Sequence, residues 1–192
     1  MSTNTLYPVF LKLDKITTLI VGGGKVALEK LYFMLKSSPE ARVRLVASSY
    51  SSEVVALVKE SPNVELIQDN YHGKYLTGIG LIIAATNDPR VNRQIMKEAK
   101  KRHILVNVAD TPEMCQFYLG AIVTKGDLKL AISTNGKSPV MAKRLRSFFE
   151  NVLPDNIQLL LDNMESIRQK VGADLKSKTV LLNELTSSFL KP

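Results

Sequence analysis

At 192 residues and a net charge of +8, with 45% hydrophobic and 23% charged residues, the chain is long enough for one domain plus a substantial appendage, and its composition excludes whole-chain disorder. A single cysteine, Cys115, excludes an intrachain disulfide framework, and with only two histidines, His72 and His103, a cysteine-rich structural zinc site is excluded as well. No apolar run approaches ~18 residues and residues 1–8 lack the basic and apolar segments of a signal peptide, so the expectation is a cytoplasmic protein without a membrane span.

Residues 16–21 (ITTLIV) are apolar and β-branched, as in a buried strand, and Gly22, Gly23 and Gly24 break the run. Residues 25–36 then read as a helix with Val26, Ala27, Leu31, Met34 and Leu35 toward one face. This strand, turn and helix carry G-x-G-x-x-A on Gly22, Gly24 and Ala27. The first glycine makes the tight turn, the second admits a pyrophosphate, and the small third residue lets helix and strand pack closely. The helix start at Lys25 and Val26 offers free N–H groups to that anion. A bare turn with no ligand is the plain alternative, and the complete strand–turn–helix context favours a nucleotide.

Residues 42–47 form a second strand, residues 51–59 a weak helix and residues 64–67 a third strand. A ribose-binding acid is expected about 20 residues beyond the glycines. Ser48 and Ser49 stand there instead, either to bond a ribose hydroxyl or to cap the next helix, so these residues leave NAD and NADP both open. Residues 81–85 (LIIAA) form a fourth strand. Small Ala84 and Ala85 would let a cofactor approach, and Thr86 and Asn87 can bond it. Residues 86–89 also read as a helix cap, with Asp88 at the cap and Pro89 at the first helical position, and the two roles are compatible. That helix runs to about Arg102, and its basic end at residues 97–102 reads as a solvated terminus favoured by the helix dipole.

Residues 104–108 form a fifth strand, followed by Ala109 and Asp110. Asp110 is the lone carboxylate at the carboxyl edge of the sheet, where ligands bind in open α/β folds. With Thr111, Pro112 and Glu113 it also fits a capping box, and position alone leaves cap and catalyst even. Strands alternating with helices predict an α/β fold with a doubly wound parallel sheet. The pattern then changes. Residues 117–124 and 128–133 read as a hairpin about Lys125, Gly126 and Asp127. Ser138 and Pro139 start a helix to Val152, Pro154 restarts one to Val171, and residues 175–189 read as helical, giving a small helical domain from about residue 151. The positive excess lies within residues 1–150, while residues 151–192 are balanced. No basic stripe is interleaved with aromatics, so nucleic acid is not expected as a partner.

Several segments together carry a family resemblance. They are Tyr7, Pro8, Val9, Phe10 and Leu11; the turn from Val21 to Ala27; Ala84, Ala85, Thr86, Asn87 and Asp88; Asn107, Val108, Ala109 and Asp110; and Ser133, Thr134, Asn135, Gly136, Lys137, Ser138 and Pro139, leading into Ala142 and Arg146. In order and spacing the chain resembles the precorrin-2 dehydrogenase family, which includes the N-terminal part of siroheme synthase. The resemblance implies a Rossmann NAD-binding domain over residues 1–113, a dimerisation region over 114–150 and a helical domain over 151–192, hence a homodimer. It implies NAD as cofactor and oxidation of precorrin-2 to sirohydrochlorin, on the way to siroheme or cobalamin. Some members also insert Fe²⁺ or Co²⁺. The family's essential aspartate matches Asp110, which this makes the candidate catalytic residue.

The cofactor residues expected are Gly22, Gly23, Gly24, Lys25, Val26, Ser48, Ser49, Ala85, Thr86 and Asn87. Those expected at the substrate, a macrocycle fringed with carboxylates, are Asn107, Thr134, Asn135, Gly136, Lys137 and Ser138, with Lys143, Arg144 and Arg146 beyond. A capped helix with solvated cations is the plain alternative for that loop. In some siroheme synthases a serine of the loop is phosphorylated, and Thr134 stands at the matching position. Neither His72 nor His103 is expected as a metal ligand, and Cys115 is expected to line or pack rather than react. A nucleotide-sensing regulatory module would need the glycine turn without a catalytic Asp110, and a reductase of small metabolites would not need the basic loop.

Overall fold

The computed structural model describes residues 4–170 together with 179, 180, 183 and 184, and the helix expected over 175–189 otherwise lies outside the described residues. Five strands, β1 (Thr18–Val21), β2 (Val43–Ala47), β3 (Val64–Gln68), β4 (Leu81–Ala84) and β5 (Leu105–Val108), form one parallel sheet in the order β3-β2-β1-β4-β5. The helices between them are α1 (Lys25–Ser37), α2 (Ser52–Lys59) and α3 (Pro89–Lys101). The strand order reverses between β1 and β4, the topological switch point at which such sheets bind ligands.

Period-two alternation explains why helices cover both faces. Leu19 and Val21 of β1 join Ile82 and Ala84 of β4 and Val106 and Val108 of β5 in one core, closed by Ile95 and Ala99 of α3. Ile20, Leu45 and Ile83 face the other way, onto Ala27 and Leu31 of α1 and Val54 of α2. Each fully buried Leu or Ile contributes about 1.5–3 kcal/mol of transfer free energy, so both faces hold their helices.

The element boundaries differ from the expected ones in three informative places. The hairpin strands are β6 (Ala121–Lys125) and β7 (Leu128–Ile132), so residues 117–120 are not strand. Gln116 and Phe117 bond back to Val106 and Asn107 and cover the β5 edge instead. The helix expected from Pro154 begins at Ile157, as α5 (Ile157–Lys170), after α4 (Pro139–Val152). Two short 3-10 turns, Gly73–Leu76 and Pro112–Met114, are too short to show a period in the sequence.

The chain divides into two units: residues 1–119 with Asn135–Lys137, and residues 120–134 with 138–192. Within the second, the hairpin turn is fastened to the start of α5. Lys125 Nζ donates to the Leu153 carbonyl and pairs with Asp155, both at 2.6 Å, and Gln158 Oε1 accepts from the Asp127 N–H at 2.7 Å. The lysine holds the Asp155 carboxyl below its ordinary pKa. Gly126, the first of two turn residues, has φ 55°, a position that II′-type turns reserve for glycine. A Cβ there would lie 2.0 Å from Gln158 Oε1. Gly126→Ala is therefore expected to cost about 1–3 kcal/mol, from the left-handed backbone and the displaced Gln158 bond. Thermal melting checks this, with a fall of several degrees expected and an unchanged midpoint contradicting it.

Candidate active site

The sheet register brings the site together. Val21 pairs with Val46 and Ala84, and Ala84 pairs with Val108, so the carboxyl ends of β2, β1, β4 and β5 lie level. One further rung extends the ladder past each strand: Gly22 N–H to Val46 O, Ala85 N–H to Val21 O and Ala109 N–H to Ala84 O, at 2.9, 2.8 and 2.9 Å. Gly22, Ser48, Thr86 and Asp110 thus follow the strands at the same edge.

The three glycines differ in what they tolerate. Gly22 has φ +129°, and a Cβ on it would fall 2.3 Å from the Ala85 carbonyl oxygen. On Gly23 a Cβ would fall 2.0 Å from the Ser49 carbonyl oxygen. Gly24 is exposed, and a Cβ on it would meet no described atom within 4 Å. Gly22 and Gly23 serve the packing of the turn, whereas Gly24 leaves space open above it. Gly24 is also the N-cap of α1, and no side-chain cap hydrogen bond closes that helix end. The first intrahelical bond is from Leu28 N–H to Gly24 O, at 3.0 Å, which leaves the N–H groups of Lys25, Val26 and Ala27 facing that space. An open cradle and an uncapped positive helix end fit a dinucleotide pyrophosphate.

The helix α2 is capped by Ser51, whose hydroxyl accepts from Val54 N–H at 3.4 Å, so capping is not the job of Ser48 or Ser49. Both are exposed just past the end of β2. The Asp69 carboxylate, just past β3, is engaged by the Tyr75 hydroxyl and by Lys74 at 3.3 Å, which lower its pKa. Ala85 is buried and Asn87 exposed. Thr86 is committed to the start of α3: its hydroxyl lies 2.7 Å from Asn92 Oδ1, and Asn92 Nδ2 donates to the Thr86 carbonyl at 3.1 Å. Asp88 caps α3 through the Arg90 N–H, and Arg90 holds its carboxyl below the ordinary range. The cap reading of residues 86–88 is therefore realised, and the backbone and Asn87 are what the segment leaves for a cofactor.

Asp110 is not a helix cap. The 3-10 turn behind it has Thr111 at its cap position, with no side-chain cap bond. Asp110 is exposed and has φ 57°, a left-handed conformation uncommon outside glycine. Asn107, expected at the substrate, is 7% exposed, and its amide donates to the Phe117 carbonyl at 2.8 Å. It holds the 115–117 segment rather than facing outward. In the 134–138 loop, Asn135 and Gly136 are both left-handed, with φ 53° and 76°. The Thr134 hydroxyl accepts from Ser138 N–H and donates to its carbonyl, each at 3.1 Å, and Ser138 Oγ caps α4 through Met141 N–H. Both hydroxyls thus serve the loop itself. Asn135–Lys137 groups with the first unit, Thr134 and Ser138 with the second. The roles of Asn92 and Gln116 were missed, because side chains that bond backbone six and ten residues away leave no periodic signal, and the α2 cap was missed because Ser48, Ser49 and Ser51 offer the same residue type within four positions.

Among the described residues no group of three or more His, Cys, Asp or Glu is placed to hold a metal ion, and no helix is long and apolar enough to cross a membrane.

An NAD(P)-binding family model matches residues 9–121, and a family described as sirohaem biosynthesis protein central matches residues 125–151. A siroheme synthase of Psychrobacter arcticus is 39% identical over 173 residues, which are 90% of this chain and 31% of that protein. A siroheme synthase of Mannheimia succiniciproducens is 35% identical over 90% of this chain and 36% of its own length. The chain thus spans about a third of these curated relatives. A solved structure named SirC, precorrin-2 dehydrogenase, superposes with a TM-score of 0.72 at 27% identity, covering 94% of this chain and 89% of that one.

Proposed function

The chain belongs to the NAD(P)-binding family and is similar to siroheme synthases and to a precorrin-2 dehydrogenase, and from that premise we propose that it oxidises precorrin-2 to sirohydrochlorin with NAD⁺. The observation that carries the proposal is the pairing, on one sheet edge, of the open Gly24 cradle with the exposed carboxylate of Asp110.

Dehydrogenation removes a hydride and a proton from the reduced macrocycle. NAD, when bound, supplies the hydride acceptor. The N–H groups of Lys25 and Val26 would hold its pyrophosphate, and Ser48 and Ser49 would meet the adenosine ribose. The two serines supply neither the carboxylate that marks an NAD site nor the arginine that marks an NADP site, so they do not choose between the two. Asp110 takes the proton on a carboxylate oxygen as general base, so precorrin-2 and NAD⁺ give sirohydrochlorin, NADH and H⁺. Asn135, Gly136 and Lys137 are proposed to receive the carboxylate fringe of the substrate. Thr134 and Ser138 shape that loop, and Asn107 supports the segment behind Asp110.

A homodimer built on the second unit is part of the proposal. Val140, Met141, Phe148 and Val152 are exposed and share one face of α4, which favours burial against a copy. Light scattering of the full chain tests it. A cytoplasmic setting fits the single free thiol. Insertion of Fe²⁺ or Co²⁺ into the product would use Asp110 to accept pyrrole protons, and is tested separately on sirohydrochlorin. The dehydrogenase proposal itself is tested by mixing the protein with precorrin-2 and NAD⁺ and following sirohydrochlorin by absorbance. Turnover is expected; a folded, NAD-binding protein that produces none overturns it.

A further inference from the structure

β5 is the last strand of its sheet, so its outward N–H and C=O groups have no neighbouring strand. Residues 115–117 supply the partners. Val106 N–H donates to Gln116 Oε1 at 3.2 Å, and Gln116 N–H donates to the Val106 carbonyl at 2.8 Å. One rung on, the partner is a side chain. Cys115 Sγ accepts from Val108 N–H at 3.2 Å, and the thiol proton faces the carbonyls of Val108 and Thr111, at 3.2 and 3.4 Å. Asn107 Nδ2 also reaches the sulfur at 3.4 Å while it bonds Phe117.

These contacts close the turn whose tip is Asp110. Thr111 N–H returns to the Val108 carbonyl at 3.3 Å, and Thr111 Oγ1 donates to the Ala109 carbonyl at 3.2 Å. A left-handed aspartate is a conformation that the surroundings must enforce. We propose that Cys115 is a positioning residue, whose thiol clasps both ends of the 108–111 turn and thereby holds the Asp110 carboxylate in its outward, left-handed pose. The proposal rests on the reading of Asp110 as the base. Burial, with the nearby Glu113 charge, pushes the thiol pKa up, so the S–H keeps the proton it donates at neutral pH. The cysteine is thus used for hydrogen bonding to backbone rather than for thiolate chemistry.

The test uses the full chain with Cys115→Ala, Cys115→Ser and Asp110→Asn, singly and with Asp110→Asn combined with Cys115→Ala. Cys115→Val replaces the alanine variant should that fail to fold. Two readouts are taken: amide exchange at Val108, and kcat and KM with precorrin-2 and NAD⁺. Cys115→Ala is expected to speed Val108 exchange about tenfold and to lower kcat about ten- to a hundredfold, with KM for NAD⁺ little changed. Serine restores most of both, because its hydroxyl can replace the donor and acceptor. With Asp110→Asn already present, Cys115→Ala lowers kcat no further, since it acts through the carboxylate. Wild-type protection of Val108 in Cys115→Ala overturns the proposal, and so do losses that multiply in the double variant or a serine variant as slow as alanine. If the wild type oxidises no precorrin-2, the functional reading fails by itself, and Val108 exchange still decides whether the thiol holds the turn.

Discussion

Asp110→Asn is expected to leave the protein folded and NAD-binding while lowering precorrin-2 turnover by about 10²–10⁴, the usual worth of a positioned general base. Asparagine is the informative replacement because of the backbone. Asp110 has φ 57°, and asparagine, like aspartate, tolerates that region, whereas alanine there costs about 1–2 kcal/mol and would confuse catalysis with stability. The side chain is exposed and makes no cap, so removing its charge disturbs little else. Kinetics, melting and NAD⁺ titration are measured on the same preparation. Turnover within twofold of wild type would remove Asp110 from the chemistry and leave it as a turn residue.

The second large effect separates glycines three residues in a row. Gly24→Ala should fold as the wild type does, since its φ of −98° is ordinary and its Cβ points into open space. That space is where a pyrophosphate would lie, so NAD⁺ affinity should fall about tenfold or more, a change of 1.4 kcal/mol or above. Gly23→Ala should do the reverse. Its Cβ would sit 2.0 Å from a backbone oxygen, Ser49 O, that no side-chain rotation can move. Overpacking of this kind costs about 1–3 kcal/mol or more, and a chain this size loses about 2–4 °C for each. Gly22→Ala should behave like Gly23→Ala, with its φ of +129° adding to the clash. Calorimetry for binding and a thermal melt for stability check the pair. Equal losses of affinity and stability at Gly24 would mean that the turn is structural throughout.

The sheet was legible because its strands are short, apolar and β-branched and are punctuated by glycine and Asp-Pro. All five strands and three helices of the first unit fall where alternation put them, to within a residue or two. The glycine turn was legible as well, because strand, turn and helix occur together. What the residues alone left even was Asp110, since a carboxylate before Thr-Pro-Glu fits a cap as well as a base. The backbone removes the cap and leaves an exposed left-handed carboxylate. Asn107 misled for a related reason: it ends a strand at the ligand edge, yet its amide turns inward to Phe117, a contact fixed by the fold of residues ten positions away. The division of labour among Gly22, Gly23 and Gly24 was equally hidden, because it depends on the Ala85 and Ser49 carbonyls, which arrive from other strands.

The proposed reaction couples oxidation of a reduced tetrapyrrole to a dinucleotide held at the Gly24 cradle. Its most direct test is anaerobic stoichiometry: sirohydrochlorin and NADH quantified together from precorrin-2 and NAD⁺ with the wild-type protein. Equimolar formation of the two products is the predicted result. Sirohydrochlorin formed without NADH, or at the same rate when NAD⁺ is left out, would contradict it.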